Sequence, residues 1–252
     1  MRVVNWNLEW APRSRRERIA ARLLLLGPDV LCATEADREI LPAGGHVAEC
    51  EPDSGYGVRG GRRKAILWSR WPLDDIDPVG GGGLPRGRFV AATCRTPQGP
   101  IRLMALCIPW SHALVKTEGR RAWEDHITYL EHLGPLLRQR DRSLPTLVLG
   151  DFNQRIPRTR APQAAFDALT AALEGFTVAT SGEVTGIDRQ VIDHVAHCPL
   201  LRAGEARGFD RLDDAGRPLS DHDGVALTVA IAPLRTAGPD GPAAGSGPDH
   251  GR

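Results

Sequence analysis

The chain has 252 residues, 41% of them hydrophobic, which is enough for one large domain with a sizeable core; 32 Lys+Arg against 31 Asp+Glu leave a formal net charge of +1. That balance gives no bulk electrostatic argument for a nucleic-acid or acidic partner, and the abundance of Arg, Ala, Gly and Pro reads as a genome bias. Five cysteines, Cys32, Cys50, Cys94, Cys107 and Cys198, are odd in number and widely spaced with no C-x-x-C pair, which argues against a disulfide framework and a zinc cluster.

The chain starts by alternating like a strand, with no basic head and apolar core of a signal peptide, and no apolar stretch approaches the roughly 20 residues of a membrane-spanning helix. A cytoplasmic monomer is expected. Arg2 to Glu9 reads as the first strand, and Ile19, Leu23 and Leu26 recur at helical spacing until Gly27-Pro28 stops the helix. Asp29 to Glu35 is a second strand, apolar until its closing acid, so the start is βαβ-like. Lys64 to Ser69, Arg88 to Arg95 and Ile101 to Ile108 read as further strands, the last two joined by a Thr96-Pro97-Gln98-Gly99-Pro100 turn. Gly80 to Gly83 reads as a surface loop rather than a lid.

Trp123, Ile127, Leu130, Leu133 and Leu137 step by threes and fours, predicting a long amphipathic helix that faces the core. Leu144 to Leu149 is an apolar run that predicts a buried strand, and Phe166, Leu169 and Leu173 mark another helix. Strands are expected around Val191 to Ala196, Glu205 to Phe209 and Gly224 to Ile231. One domain over 1–232 and a disordered Gly/Pro/Ala/Asp tail over 233–252 complete the expected organisation.

Polar clusters stand beside these strands: Asn5-Trp6-Asn7-Leu8-Glu9, Thr34-Glu35, Gly150-Asp151-Phe152-Asn153, Ile192-Asp193-His194-Val195 and Ser220-Asp221-His222-Asp223. Each alone has an ordinary reading as a turn, a cap or a surface pair. The period of two places Asp151 and Asn153 on one side and Phe152 toward apolar packing. Carboxylates gathered at strand ends repel one another unless a hard divalent cation or a cationic histidine neutralises them, and oxygen ligands suit Mg²⁺ or Mn²⁺ better than zinc. Such a set suits phosphate ester chemistry.

Taken in order, Asn7, Glu35, Gly150-Asp151-Phe152-Asn153, Asp193 and Ser220-Asp221-His222 resemble the endonuclease/exonuclease/phosphatase superfamily, as does Lys64 to Leu73 in mid-domain. The resemblance spans roughly Met1 to Ile231. It implies a four-layer α/β sandwich, with two mostly antiparallel sheets packed face to face and helices outside, and Mg²⁺-dependent hydrolysis of phosphoester bonds by metal-activated water. Glu35 is then the principal metal ligand, with Asn7 close to metal and phosphate and Asp221 a further ligand. Glu9 lies two residues beyond Asn7 on the same strand face, a weaker candidate to approach the metal. Asp193 holds His222 in one tautomer, and Asp151 orients or deprotonates the attacking water. Asn153 fixes Asp151 and contacts the phosphate; the choice of base between Asp151 and His222 stays open. The family commonly ends the strand after the hairpin in His or Tyr, where this chain has Cys107, and His112 is the nearby substitute. Substrate class stays open among nucleic acid, small molecule and lipid headgroup, and so does the alternative of a non-catalytic scaffold that binds a partner.

Overall fold

The computed structural model describes residues 1–52, 60–81 and 83–233. The elements, in order, are β1 (Arg2–Asn7), α1 (Arg13–Leu26), β2 (Val30–Asp37), a 3-10 turn (Arg38–Ile40), β3 (His46–Glu49), β4 (Arg62–Ser69) and β5 (Leu73–Asp77). Then come β6 (Phe89–Thr96), β7 (Gly99–Cys107), α2 (Val115–Glu118), α3 (Glu124–Gln139), β8 (Thr146–Asp151) and α4 (Gln163–Ala172). β9 (Thr177–Val178), β10 (Asp193–His197), β11 (Leu201–Ala203), β12 (Arg207–Phe209) and β13 (Gly224–Ile231) close the fold.

The strands form two sheets. One runs β11-β13-β1-β2-β4-β3, with β12 also on β13, and the other runs β5-β6-β7-β8-β10-β9. Each is antiparallel apart from one central parallel pair, β1 with β2 and β7 with β8. Three apolar clusters define the layers. Val3, Cys32, Leu67, Leu103, Leu149 and Val225 fill the space between the sheets. Ile19 and Leu23 of α1 pack on Val4, Leu31 and Ile66 outside the first sheet. Tyr129, Leu133 and Leu137 of α3 with Leu169 of α4 pack on Met104 and Val148 outside the second. This is the expected four-layer sandwich, and it follows from the period of two: the two faces of every central strand bury against different neighbours.

The departures from the sequence reading are local. β1 stops at Asn7 rather than Glu9, because Glu9, Trp10 and Ala11 all take positive φ (45°, 62° and 38°) and turn the chain out of the sheet. On α3 the buried stripe is His126, Tyr129, Leu130, Leu133 and Leu137, while Trp123 and Ile127 are only half-buried. Four short strands were not anticipated: β3, β5, β9 and β11. Gly82 of the glycine run and all of the expected tail beyond Pro233 lie outside the described residues.

Strand directions determine where polar residues collect. β13 runs antiparallel to β1, with Val225 opposite Asn5, so the residues before Gly224 arrive beside the end of β1. β10 runs antiparallel to β8, with Asp193 opposite Asp151, and Cys107 of β7 also pairs with Asp151. The two sheets are locked at this edge by Asn5, fully buried, whose Nδ2 donates to the carbonyls of Gly150 and His194 at 3.0 Å each. Gly150 itself sits at φ 141°, where a Cβ would run into the Leu106 carbonyl oxygen of the neighbouring strand, so a side chain there would push β7 and β8 apart.

Candidate active site

Asp151 and Asp193 lie side by side on β8 and β10, and both are buried, because their strands enter the inter-sheet space just below the edge. His222 reaches them from the segment before β13. One ligand atom from each of Asp151, Asp193 and His222 falls within 4.8 Å of the others. His222 Nδ1 donates to Asp193 Oδ2 at 2.6 Å, and its Nε2 lies 3.9 Å from Asp221 Oδ1, so the ring is flanked by carboxylates on both nitrogens. Its backbone is pinned by the Trp6 indole, which donates to the His222 carbonyl at 2.9 Å, and by Ser220 Oγ, which accepts from His222 N at 3.2 Å and donates to the Asn7 carbonyl at 2.6 Å.

Asp151 is held by amides. Asn7 Nδ2 and Asn153 Nδ2 donate to its Oδ2 at 3.0 and 2.9 Å, and Asn153 N donates to its Oδ1 at 2.9 Å. Asn153 adopts φ 53°, a left-handed conformation that asparagine tolerates, and this folds its amide back over Asp151 while it also donates to the Ile108 carbonyl at 2.9 Å. Phe152 between them is fully buried against the α3/α4 layer. Of the two asparagines on β1, Asn5 satisfies backbone and Asn7 meets Asp151.

Glu35 also has positive φ, 47°. Its strand neighbours pair with β4 as Thr34 with Ala65 and Ala36 with Arg63, which puts Lys64 directly opposite it. Lys64 Nζ lies 2.5 Å from Glu35 Oε1 and 4.7 Å from the centre of the Trp10 ring. Glu35 acts electrostatically on both Asp151 and Asp193, so it belongs to the same cleft.

Burial pushes Asp151 up to about 7, against the lowering pull of His222 and with help from Asp193. Asp193 is raised too, chiefly by burial. For His222 burial acts downward, but the charges of Asp193 and Asp151 overcome it and lift the ring to about 10. At neutral pH His222 is therefore an imidazolium. Asp193 Oδ1 is buried and accepts no hydrogen bond. A half-buried Glu35, an orphaned carboxylate oxygen, a carboxyl pushed up for want of positive charge and the Asn7 amide form a hard, oxygen-rich donor set that fits Mg²⁺ or Mn²⁺.

Other expected site residues sit elsewhere. Glu9 is turned away by the bend after β1 and pairs with Arg15 at 2.7 Å. Asp221 is at the mouth, its side chain 61% exposed. His112 is exposed, with Nδ1 3.0 Å from Ser111 Oγ and its ring against Trp110, and makes no contact with the Asp151 cluster among the described residues. Cys107 is buried, and burial drives its thiol far above the ordinary range, so it is no proton donor at neutral pH.

Sequence reasoning missed the layer beneath. His194 is not a surface residue: it is fully buried, with Nε2 donating to the Gln154 carbonyl at 3.0 Å and Nδ1 2.9 Å from Thr180 Oγ1. His126 of α3 donates from Nδ1 to the Pro109 carbonyl and accepts at Nε2 from the Gln154 amide, both at 2.7 Å. These histidines brace the loop after Asp151 and are buried neutral. Burial lowers His126 to about 4, below the ordinary value near 6.5 of the unfolded chain, so its contribution is full above about 6.5 and is lost as pH falls toward 4. The stability advantage of wild type over His126→Asn should shrink by up to about 3 kcal/mol across that window, measured by urea unfolding at a series of pH values. A pH-independent difference would mean that His126 is not held neutral.

Comparisons with known proteins agree with this fold. The family described as Endonuclease/Exonuclease/phosphatase family matches residues 4–222. An AP endonuclease from Archaeoglobus fulgidus is 19% identical, with 92% of this chain and 100% of that chain covered and a TM-score of 0.68. A 3'-5' exonuclease from Neisseria meningitidis is 19% identical over 90% of this chain and 99% of that one, with a TM-score of 0.64. A mannosyl-6-phosphatase from Bacteroides thetaiotaomicron is 15% identical over 92% of this chain and 100% of that one, with a TM-score of 0.65. No curated protein matches the chain in sequence. Among the described residues no helix is long and apolar enough to cross a membrane.

Proposed function

The chain belongs to the Endonuclease/Exonuclease/phosphatase family and is a phosphoester hydrolase, and from that premise we propose that it works with a divalent cation, Mg²⁺ or Mn²⁺, and attacks phosphorus directly with water. The observation that carries the reading is the His222–Asp193 pair set beside the amide-held carboxyl of Asp151. Glu35, Asn7 and Asp221 would hold the cation, which supplies positive charge against the phosphoryl oxygens.

The remaining work falls to the chain's own side chains. Asp151, poised near neutrality, takes the proton of the attacking water, and the amides of Asn7 and Asn153 hold it in one orientation. His222, already protonated and fixed through Nδ1 by Asp193, turns Nε2–H toward the charge that builds on the phosphoryl group. This resolves the choice of base in favour of Asp151, since a ring flanked by two carboxylates is a poor proton acceptor. Asn153 also contacts the phosphate.

The structural neighbours include nucleases and a sugar phosphatase, so the test is a panel of DNA, RNA, nucleotides, sugar phosphates and phospholipid headgroup esters. Turnover of at least one class is expected with Mg²⁺ or Mn²⁺, abolished by EDTA and restored by excess cation. Hydrolysis that survives EDTA, or none on any substrate, would overturn the reading.

A further inference from the structure

The antiparallel pairing of β2 and β4 places a cation of the chain's own against the carboxylate proposed to hold the metal. Thr34 and Ala36 pair with Ala65 and Arg63, so Glu35 and Lys64 face each other across the ladder. Nζ and Oε1 are 2.5 Å apart, with the side chains only 11% and 21% exposed. The Trp10 ring lies 4.7 Å from the ammonium, and Trp10 is put there by the left-handed turn that ends β1. An aromatic face gives an ammonium a second attractive neighbour besides the carboxylate. Lys64 also acts electrostatically on Cys107, whose backbone pairs with Asp151, so its charge lies on the reacting side of the cleft.

A half-buried carboxylate that already binds an ammonium gives up that attraction when a divalent ion takes it over. The ammonium is then left in a poorly hydrated place beside the phosphate, and the nearest anion able to replace the carboxylate is a phosphoryl oxygen. We propose that Lys64 is a substrate-binding residue that competes with the divalent cation for Glu35 and, once the cation is bound, contacts a phosphoryl oxygen of the substrate. Metal and substrate loading are thereby coupled: the cation displaces Lys64 from Glu35, and the phosphate gives it a new partner. This rests on the hydrolase reading above and adds a residue for which that reading has no role.

The test is binding, measured without turnover. Mn²⁺ affinity of the substrate-free protein is read from the electron paramagnetic resonance signal of free Mn²⁺, and inorganic phosphate affinity by calorimetry at saturating Mg²⁺. Lys64→Gln should bind Mn²⁺ about tenfold more tightly and phosphate about tenfold more weakly, about 1.4 kcal/mol each way. Lys64→Arg should restore most of the phosphate affinity, which separates lost charge from lost folding. Weaker Mn²⁺ binding in Lys64→Gln would mean that Lys64 merely props Glu35, and unchanged phosphate affinity would remove the substrate contact; either overturns the inference while metal-dependent hydrolysis by the wild type stands. Failure of the wild type to bind Mn²⁺ at all would overturn the hydrolase reading and this inference together.

Discussion

His222→Ala is expected to lower turnover by about a thousandfold while leaving a folded protein. The ring brings the one positive charge that the structure aims between Asp151 and Asp193, with Nδ1 2.6 Å from Asp193 Oδ2. Its loss removes an interaction that grows as charge develops on the phosphoryl group, so kcat should fall far more than KM rises. The fold should survive, because Trp6 and Ser220 bond the His222 backbone rather than the ring, and Asp193, without its cation, can take up a proton instead of remaining a bare buried charge. Asp193→Asn acts on the same unit. The double variant should therefore be little worse than His222→Ala alone, since residues that work as a pair are non-additive. Single-turnover rates decide it: an unchanged rate in His222→Ala would make the pair purely structural, and strict additivity would separate the two residues.

Much of the site was legible because each of its residues closes or opens an apolar run. Asn7 ends β1, Asp151 ends β8, Asp193 begins β10 and His222 stands just before β13. Hydrophobic runs identify buried strands, and a polar residue at the end of one has few places to go except the edge where the strands stop. The strands that escaped notice fail on the same ground. β5 reads Leu-Asp-Asp-Ile-Asp, β3 reads His-Val-Ala-Glu, and β9 and β11 are two and three residues long. Their strand state comes from pairing with a neighbour rather than from their own side chains. The same distinction explains the site residues. Glu9 belonged to the strand face only while the strand was thought to continue, and three positive-φ residues end it first. Lys64 carries no signal of its own, since its meaning depends on the register that sets it opposite Glu35. Cys107 occupied a conspicuous position, but burial deprives its thiol of any acid–base role. The histidines 126 and 194 looked like surface or catalytic candidates from composition, whereas hydrogen bonds that only the folded chain supplies make them core.

Glu35→Gln should abolish most metal-dependent turnover, by about a hundredfold or more, and raise the Mg²⁺ concentration needed for what remains. The argument proceeds by elimination among the carboxylates around the cleft. Asp151 is held by the amides of Asn7 and Asn153, Asp193 by the His222 ring, Asp223 by the Arg189 guanidinium and Glu9 by Arg15. Asp221 stands at the exposed mouth. Glu35 alone combines partial burial, a backbone turned out of its strand at φ 47° and a partner, Lys64, that is itself a cation and so occupies the electrostatic place of a metal. The glutamine keeps the size and the backbone requirement but not the charge, so stability should change little beyond the loss of one half-buried ion pair, about 1 kcal/mol. Turnover measured against Mg²⁺ concentration for both proteins, with circular dichroism to confirm the fold, gives the answer. A Glu35→Gln protein with an unshifted Mg²⁺ midpoint and full rate would move the cation to Asp221 and the orphaned oxygen of Asp193, and would leave the Glu35–Lys64 pair a structural link between β2 and β4.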